Sequence, residues 1–506
     1  NGSIHFGSSA EITPPMPDQR THRPTGYGTT FRASTYDSRG RTGRATVLRP
    51  GAPEHEENRV KSTPEVLRDL AEPSNVSVHS NQELASDVSA AAADDDKQRE
   101  EKELDQLRRK RGLHPIPAGD LGRRVQLTPW DVLHSFGRAI TLARRGAARG
   151  LAEHWGALKY NQALAGDSGS FMALSTEGKE TADYYKALQS GELGTGLALA
   201  LATRLLSDRY PNHNVSIVPA DTALRAGWAL TSRDSGPKSG YRYRPQFFAE
   251  VWKPGAPSRV FPIACKGNHS GLSASHTQLA SASAHVEAVH IGAWDETPCL
   301  VFSTELPLDG PLTVHALEAD GEGGWLEGPG RILDHVLEDE NVYPGIQPPA
   351  QGDNRAEPVP GFHVSSDLYG WFQHAFARTA AAGITAFAGD ARATAPYLTK
   401  RQGQRHFAGI THAATDSVQD ARHRFFGIDF VGTDHVFRLN RRRVEAFSGV
   451  AEDLFRHLEV GRVEQYRREI HARRSSWPRD TWAPRWNGPV SVHPDGSVLA
   501  MRLLRS

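Results

Sequence analysis

Apolar residues recur at helix or strand spacing from about residue 127 onward, and before residue 120 they do not. Thr128 followed by Pro129 predicts a capped helix start, and the helical period continues through Phe136, Ile140 and Leu142. That helix carries a basic side of Arg138, Arg144, Arg145 and Arg149. Residues 179 to 210 predict one or two further helices, with an Ala/Leu-rich stretch over 197–206 suited to burial and Pro211 as the stop. Short apolar runs follow at 215–218, 247–252 and 259–265, the last two joined by a turn over 253–258. A helix over 275–289 and strands over 298–303 and 312–317 complete the series. The order helix, three strands, helix, two strands predicts an α/β fold around a mixed sheet.

The flanks read differently. Residues 1 to about 120 are rich in Pro, Ser, Thr, Gly and charge, which predicts a disordered arm unable to bury enough apolar surface to offset chain entropy. Within it, residues 94–111 switch from acidic to basic. This run reads as a charged linker, or as a nucleic-acid-binding tail around Arg108 to Arg111. A Pro/Gly-rich linker is predicted over 343–361, a helix over 367–388 and an arginine-dense helical segment over 434–474. Runs at 490–493 and 497–504 flank Asp495-Gly496 and predict a terminal hairpin. The expected division is an arm over 1–120, an α/β core over 127–320, the linker, and a mainly helical region over 362–506 ending in the hairpin.

Composition narrows the classes. Among 506 residues, 59 basic and 59 acidic side chains cancel, so any attraction to polyanions must come from local clusters. Arginine outnumbers lysine, and alanine and glycine abound, a usage that suggests a GC-rich bacterial genome. Cys265 and Cys299 lie in apolar runs and read as buried free thiols, too few for a zinc site built of cysteines. No apolar run approaches the ~20 residues that span a bilayer, and a soluble cytoplasmic protein is expected. His269, His276, His285 and His290 have no metal-site spacing and read as solvated or hydrogen-bonding residues. Gly191-x-x-Gly-x-Gly lacks a preceding strand and a following lysine, so it supports no nucleotide-binding loop.

The most informative stretch is Arg244-Pro-Gln-Phe-Phe248, continuing to Glu250 and Trp252, followed by Ile263-Ala-Cys-Lys-Gly267. With the order of elements over roughly residues 188 to 318, it resembles the PD-(D/E)xK nuclease superfamily. The resemblance implies a restriction-endonuclease-like core in which acids hold Mg²⁺ or Mn²⁺ and a lysine activates or orients water for phosphodiester hydrolysis. It implies that Glu192 is the first-helix acid, Lys266 the lysine and Gln278 the helix glutamine. Two ligand positions depart from the pattern: Gln246 stands at the aspartate position and Ala264 at the glutamate position. Side chains alternate along a strand, so Glu250 shares a face with Gln246 and offers a replacement ligand beside Glu192. The metal set expected is therefore Glu192 and Glu250, with Lys266 and Gln278 completing the site.

A second signal is the tract Arg438, Arg441, Arg442 and Arg443, continuing to Arg474 and followed by Trp477, Trp482 and Trp486. Arginines contact phosphates and aromatics stack on exposed bases. The expected function is a DNA-engaging nuclease in bacterial genome defence or DNA maintenance. Its rivals are a catalytically inactive nuclease-fold module for binding or assembly, and a structural protein whose arm meets a protein partner. A homo-oligomer fits any of the three.

Overall fold

Two Val residues show how the fold begins. Val76 and Val78 sit on alternate positions of a strand at 74–79 and are buried, while Asn75, Ser77 and His79 between them are only half-buried. This strand lies inside the main sheet. A computed structural model describes residues 60–143, 153–166, 170–228, 230, 243–293, 296–327, 359–407 and 418–505. The expected arm is thus corrected from residue 60 onward, since Thr63–Ala71 is a helix (α1), Ser74–His79 a strand (β1) and Gln82–Glu101 a helix (α2). Only Leu84, Ala85 and Val88 of α2 are buried, which is why its charged remainder resembles a linker. Residues before 60 and the expected linker over 343–361, apart from its last residues, lie outside the described residues.

The basic run that ends the expected arm is held internally. Arg109 pairs with Asp95 and Asp96, and Arg108 with Glu287 at 3.2 Å. Both lose their availability as a nucleic-acid tail.

Next come β2 (Arg124–Leu127) and α3 (Pro129–Ile140). Thr128 caps α3 as expected: its side chain accepts from the Asp131 amide, and Asp131 returns the bond to the Thr128 amide. A single long helix, α4 (Asp183–Arg209), leads to β3 (Asn214–Pro219), β4 (Phe247–Trp252) and β5 (Ser258–Asn268). Helix α5 (Leu272–Val286) then leads to β6 (Cys299–Glu305) and β7 (Thr313–Ala319). The fold is α/β around a mixed sheet. The strand order is β2-β1-β7-β6-β5-β4-β3, and two short strands at 325–326 and 114–115 bring it to nine. Strands β3, β4 and β5 pair antiparallel, β5 and β6 pair parallel, and β1 runs parallel to β7.

The two sheet faces bury different partners. Ile263, Cys265, Phe302 and Val314 pack under α3 and α4, whereas Ala264, Val301 and Leu317 pack under α2 and α5. Ser190 and Gly194 of α4 sit on the end of β5. A Cβ at Gly267 would come within 2.0 Å of the Ser190 carbonyl oxygen, so a glycine is required there.

The C-terminal region corrects the expectation of a mainly helical segment. After α6 (Tyr369–Phe387), strands β8 (Val418–Phe425), β9 (Ile428–Leu439) and β10 (Arg442–Ala451) form an antiparallel meander. Helices α7 (Glu452–Glu459) and α8 (Val463–Arg473) come only afterwards. The terminal hairpin, β11 (Gly488–Val492) with β12 (Ser497–Leu503), is present and joins the same six-stranded sheet beside β10. Residues 57–506 form one compact unit. Cys265 and Cys299 are buried free thiols. No described helix is long and apolar enough to cross a membrane.

Candidate functional site

Lys266 ends the apolar run of β5, and its side chain leaves on the face of Ala264, toward α5. Burial lowers its pKa, and among the described residues no carboxylate acts on its ammonium. Its cross-strand neighbours are Ser303 on β6 and, one strand further, His315 on β7. His285 on α5 lies close enough for Lys266 to depress the imidazole, though burial is the larger cause.

The expected acids have other partners. Glu192 belongs to α4, which packs on the sheet face opposite α5, and there Tyr160 Oη donates to it at 2.5 Å and the Lys159 ammonium lies 2.5 Å away. Burial and this bond push the Tyr160 phenol far above its ordinary range, so it remains a donor. Glu250 pairs in register with Val260, and Lys266 lies six residues further along β5, roughly 20 Å away at strand rise. Both Glu250 oxygens are bound by Arg467, at 3.0 and 3.2 Å. Glu250 is therefore kept away from Lys266, and each of the two acids is held by a cation of its own.

The two departing positions have structural employment. The Gln246 side-chain oxygen accepts from the Cys265 amide at 3.1 Å, extending the pairing of β4 and β5 past the end of the strand. Ala264 is fully buried in a cluster with Leu279 and Ala282 of α5 and Leu84 of α2. Gln278 donates to the Gly267 carbonyl at 2.9 Å and accepts from Ser303 at 2.7 Å and Asn268 at 3.2 Å, so it ties α5 to two strand ends. A hard cation such as Mg²⁺ needs several oxygen ligands. The set beside Lys266 is one amide oxygen already in use and a methyl group, and it does not fit that ion.

The arginine tract takes a defined form. Arg438, Arg441, Arg442 and Arg443 crowd the β9–β10 turn and are all exposed. Asn440 and Arg441 both adopt positive φ, 45° and 67°, the left-handed pair of a tight hairpin turn. The Asn440 side chain holds the turn in place by donating to the Lys61 carbonyl at 2.7 Å and to Gln162 at 2.8 Å. None of the four arginines is in an ion pair among the described residues. Of the later arginines, Arg456 pairs with Glu452, Arg473 with Asp453 and Arg467 with Glu250, while Arg468 and Arg474 bond the backbone carbonyls of Glu464 and His471. Arg138 is bound by Asp495 and by the Gly383 carbonyl, while Arg144, Arg145 and Arg149 lie outside the described residues. Trp477 and Trp486 are buried, so they are not free to stack on bases.

Two polar groupings have no counterpart in the sequence reading. At the ends of β1, β6 and β7, His79 and His315 face each other through Nδ1 at 2.9 Å, and His315 Nε2 lies 3.2 Å from Glu305. Burial, then the neighbouring imidazoles of His79 and His276, push His315 down to about 3. The second grouping centres on His134, Ser491 and Ser497, which are buried. His134 on α3 contacts Ser491 at 3.0 Å and Ser497 at 3.2 Å, and those hydroxyls donate to Asp131 and Asp495 at 2.7 and 2.6 Å. His134 stacks on His493 with ring centres 3.6 Å apart. The only sequence trace of this network is Asp131, His134 and Arg138 at i, i+3 and i+7 on one helix face.

No family model, curated protein or solved structure matches this chain.

Proposed function

We propose that this chain is a nuclease-like α/β protein that binds nucleic acid through the β9–β10 hairpin and does not cut it at Lys266. The observation that carries the reading is the exposed, rigidly presented set Arg438, Arg441, Arg442 and Arg443, which makes no ion pair among the described residues, whereas acids pair Arg456, Arg467 and Arg473. Exposed guanidinium groups without a carboxylate partner are suited to phosphate oxygens. The nuclease-like part of the reading rests on the element order from α4 to β6 with Lys266 at the end of the third strand. The loss of cutting rests on the chemistry: water activation needs a carboxylate-held metal, and Glu192 and Glu250 are committed elsewhere.

The test pairs binding with cutting. Labelled duplex and single-stranded DNA are titrated with the protein at low salt, and supercoiled plasmid is incubated with Mg²⁺ or Mn²⁺. Retention of DNA without nicking supports the proposal. Nicking that disappears in Lys266→Ala would restore the nuclease reading. Absence of retention on either DNA would favour a protein-interaction role.

A further inference from the structure

One group of metal-ligating side chains belongs neither to the Lys266 site nor to the arginine tip, although two of its members lie on the same strands as that tip. His423 on β8, Asp434 on β9 and Glu445 on β10 share one face of three neighbouring strands, with one ligand atom of each within 4.8 Å of the others. His423 Nε2 lies 2.9 and 3.0 Å from the two Asp434 oxygens. All three are mostly buried, with side-chain exposures of 18, 15 and 12%.

We propose that His423, Asp434 and Glu445 bind a divalent ion of the zinc class. One imidazole nitrogen and two carboxylates on rigid strands form a mixed N/O donor set suited to Zn²⁺, and one that does not match the all-oxygen preference of Mg²⁺. Among the described residues the two largely buried carboxylates meet one permanent cation, Arg502 on Glu445, so the group keeps a net negative charge that attracts a metal ion. Arg502 is placed as an outer partner of a ligating carboxylate, and it is fixed by stacking 4.0 Å over Trp486. Trp486 in turn meets His423 edge-on at 4.7 Å, and Phe447 does so from another side at 4.7 Å, so aromatic rings wall the imidazole in.

A second grouping of the same residue types sharpens the choice. His114, Glu318 and Asp320 also converge, but both Glu318 oxygens are held by Arg209 at 2.8 and 3.0 Å, and Asp320 is exposed. That group has its cation already.

The full-length protein is stripped with chelator, dialysed against Zn²⁺ and assayed for bound metal, alongside His423→Gln and Asp434→Asn. About one equivalent of zinc on the parent protein is expected, falling at least tenfold in each variant, with the far-ultraviolet spectrum unchanged. A parent protein that retains no zinc overturns the proposal. Equal zinc in the parent and both variants overturns it too, because the metal then sits elsewhere. Should a variant fail to fold, Co²⁺ added to the parent protein decides. Visible absorption of the strength given by four- or five-coordinate cobalt supports the site, and the faint spectrum of hydrated cobalt refutes it.

Discussion

Arg467 on α8 closes its two terminal nitrogens on the two carboxylate oxygens of Glu250 on β4, and its guanidinium lies 3.9 Å over the Trp252 ring. The pair is 9 and 0% exposed and joins elements 217 residues apart in sequence. It ties the C-terminal helices to the α/β sheet. It also removes Glu250 from any role beside Lys266.

Removing one partner strands the other as a buried charge. Glu250→Leu or Arg467→Leu alone is expected to cost about 3–5 kcal/mol, while the double Leu variant recovers much of that loss. Urea unfolding monitored by tryptophan fluorescence reads all three. Single variants within about 0.5 kcal/mol of the parent protein would show that the pair does not hold the two parts together.

The buried network at His134 predicts a pH dependence. Burial first, then His493, Arg138 and His154, hold the His134 imidazole well below its usual range, and burial also lowers His493. The unfolded chain then binds more protons than the folded one at mildly acid pH. Stability is complete above about pH 6.5 and declines as pH falls below it, at up to about 1.4 kcal/mol per pH unit for each such histidine. A melting temperature clearly lower at pH 5 than at pH 7.5 is expected, with a shallower dependence in His134→Gln. Equal melting temperatures at the two values would rule out neutral burial of these rings.

Restoring an acid at Ala264 does not follow the simple logic of the motif. The position is sealed between α5, α2 and the sheet, so Ala264→Glu places an unpaired carboxyl in an apolar cluster. The expected result is a loss of several kcal/mol without Mg²⁺-dependent nicking. A well-folded Ala264→Glu protein that nicks plasmid, and stops doing so when Lys266→Ala is added, would overturn this view.

The middle of the chain was legible because its runs are long and its punctuation is strong. Thr128-Pro129, the turn at 253–258 and the Asp495-Gly496 turn each mark an element boundary that the fold keeps. The region of residues 60–120 was misread because β1 contributes only two buried valines and α2 buries only its first turns, so the average composition looks unstructured. The helical segment expected over 434–474 is strand as far as residue 451, because arginines gathered at one turn give the charge density of a solvated helical face. Motif spacing placed Lys266 at a strand end, but it could not reveal that Glu192 and Glu250 answer to Tyr160, Lys159 and Arg467. Those partners come from distant segments that only tertiary packing brings together.

The exposed tip of the β9–β10 hairpin is the centre of the functional account, and the salt dependence of DNA binding tests it most directly. Each phosphate contact contributes about −0.9 to the slope of log K against log salt on duplex DNA. The parent protein is compared with a variant carrying Arg438, Arg441, Arg442 and Arg443 all changed to Ala, between about 50 and 200 mM salt. The account predicts weaker binding by the variant at every salt concentration and a slope shallower by about three to four. Identical affinity and slope for the two proteins would contradict it, because the arginine tip would then make no contact with the phosphates.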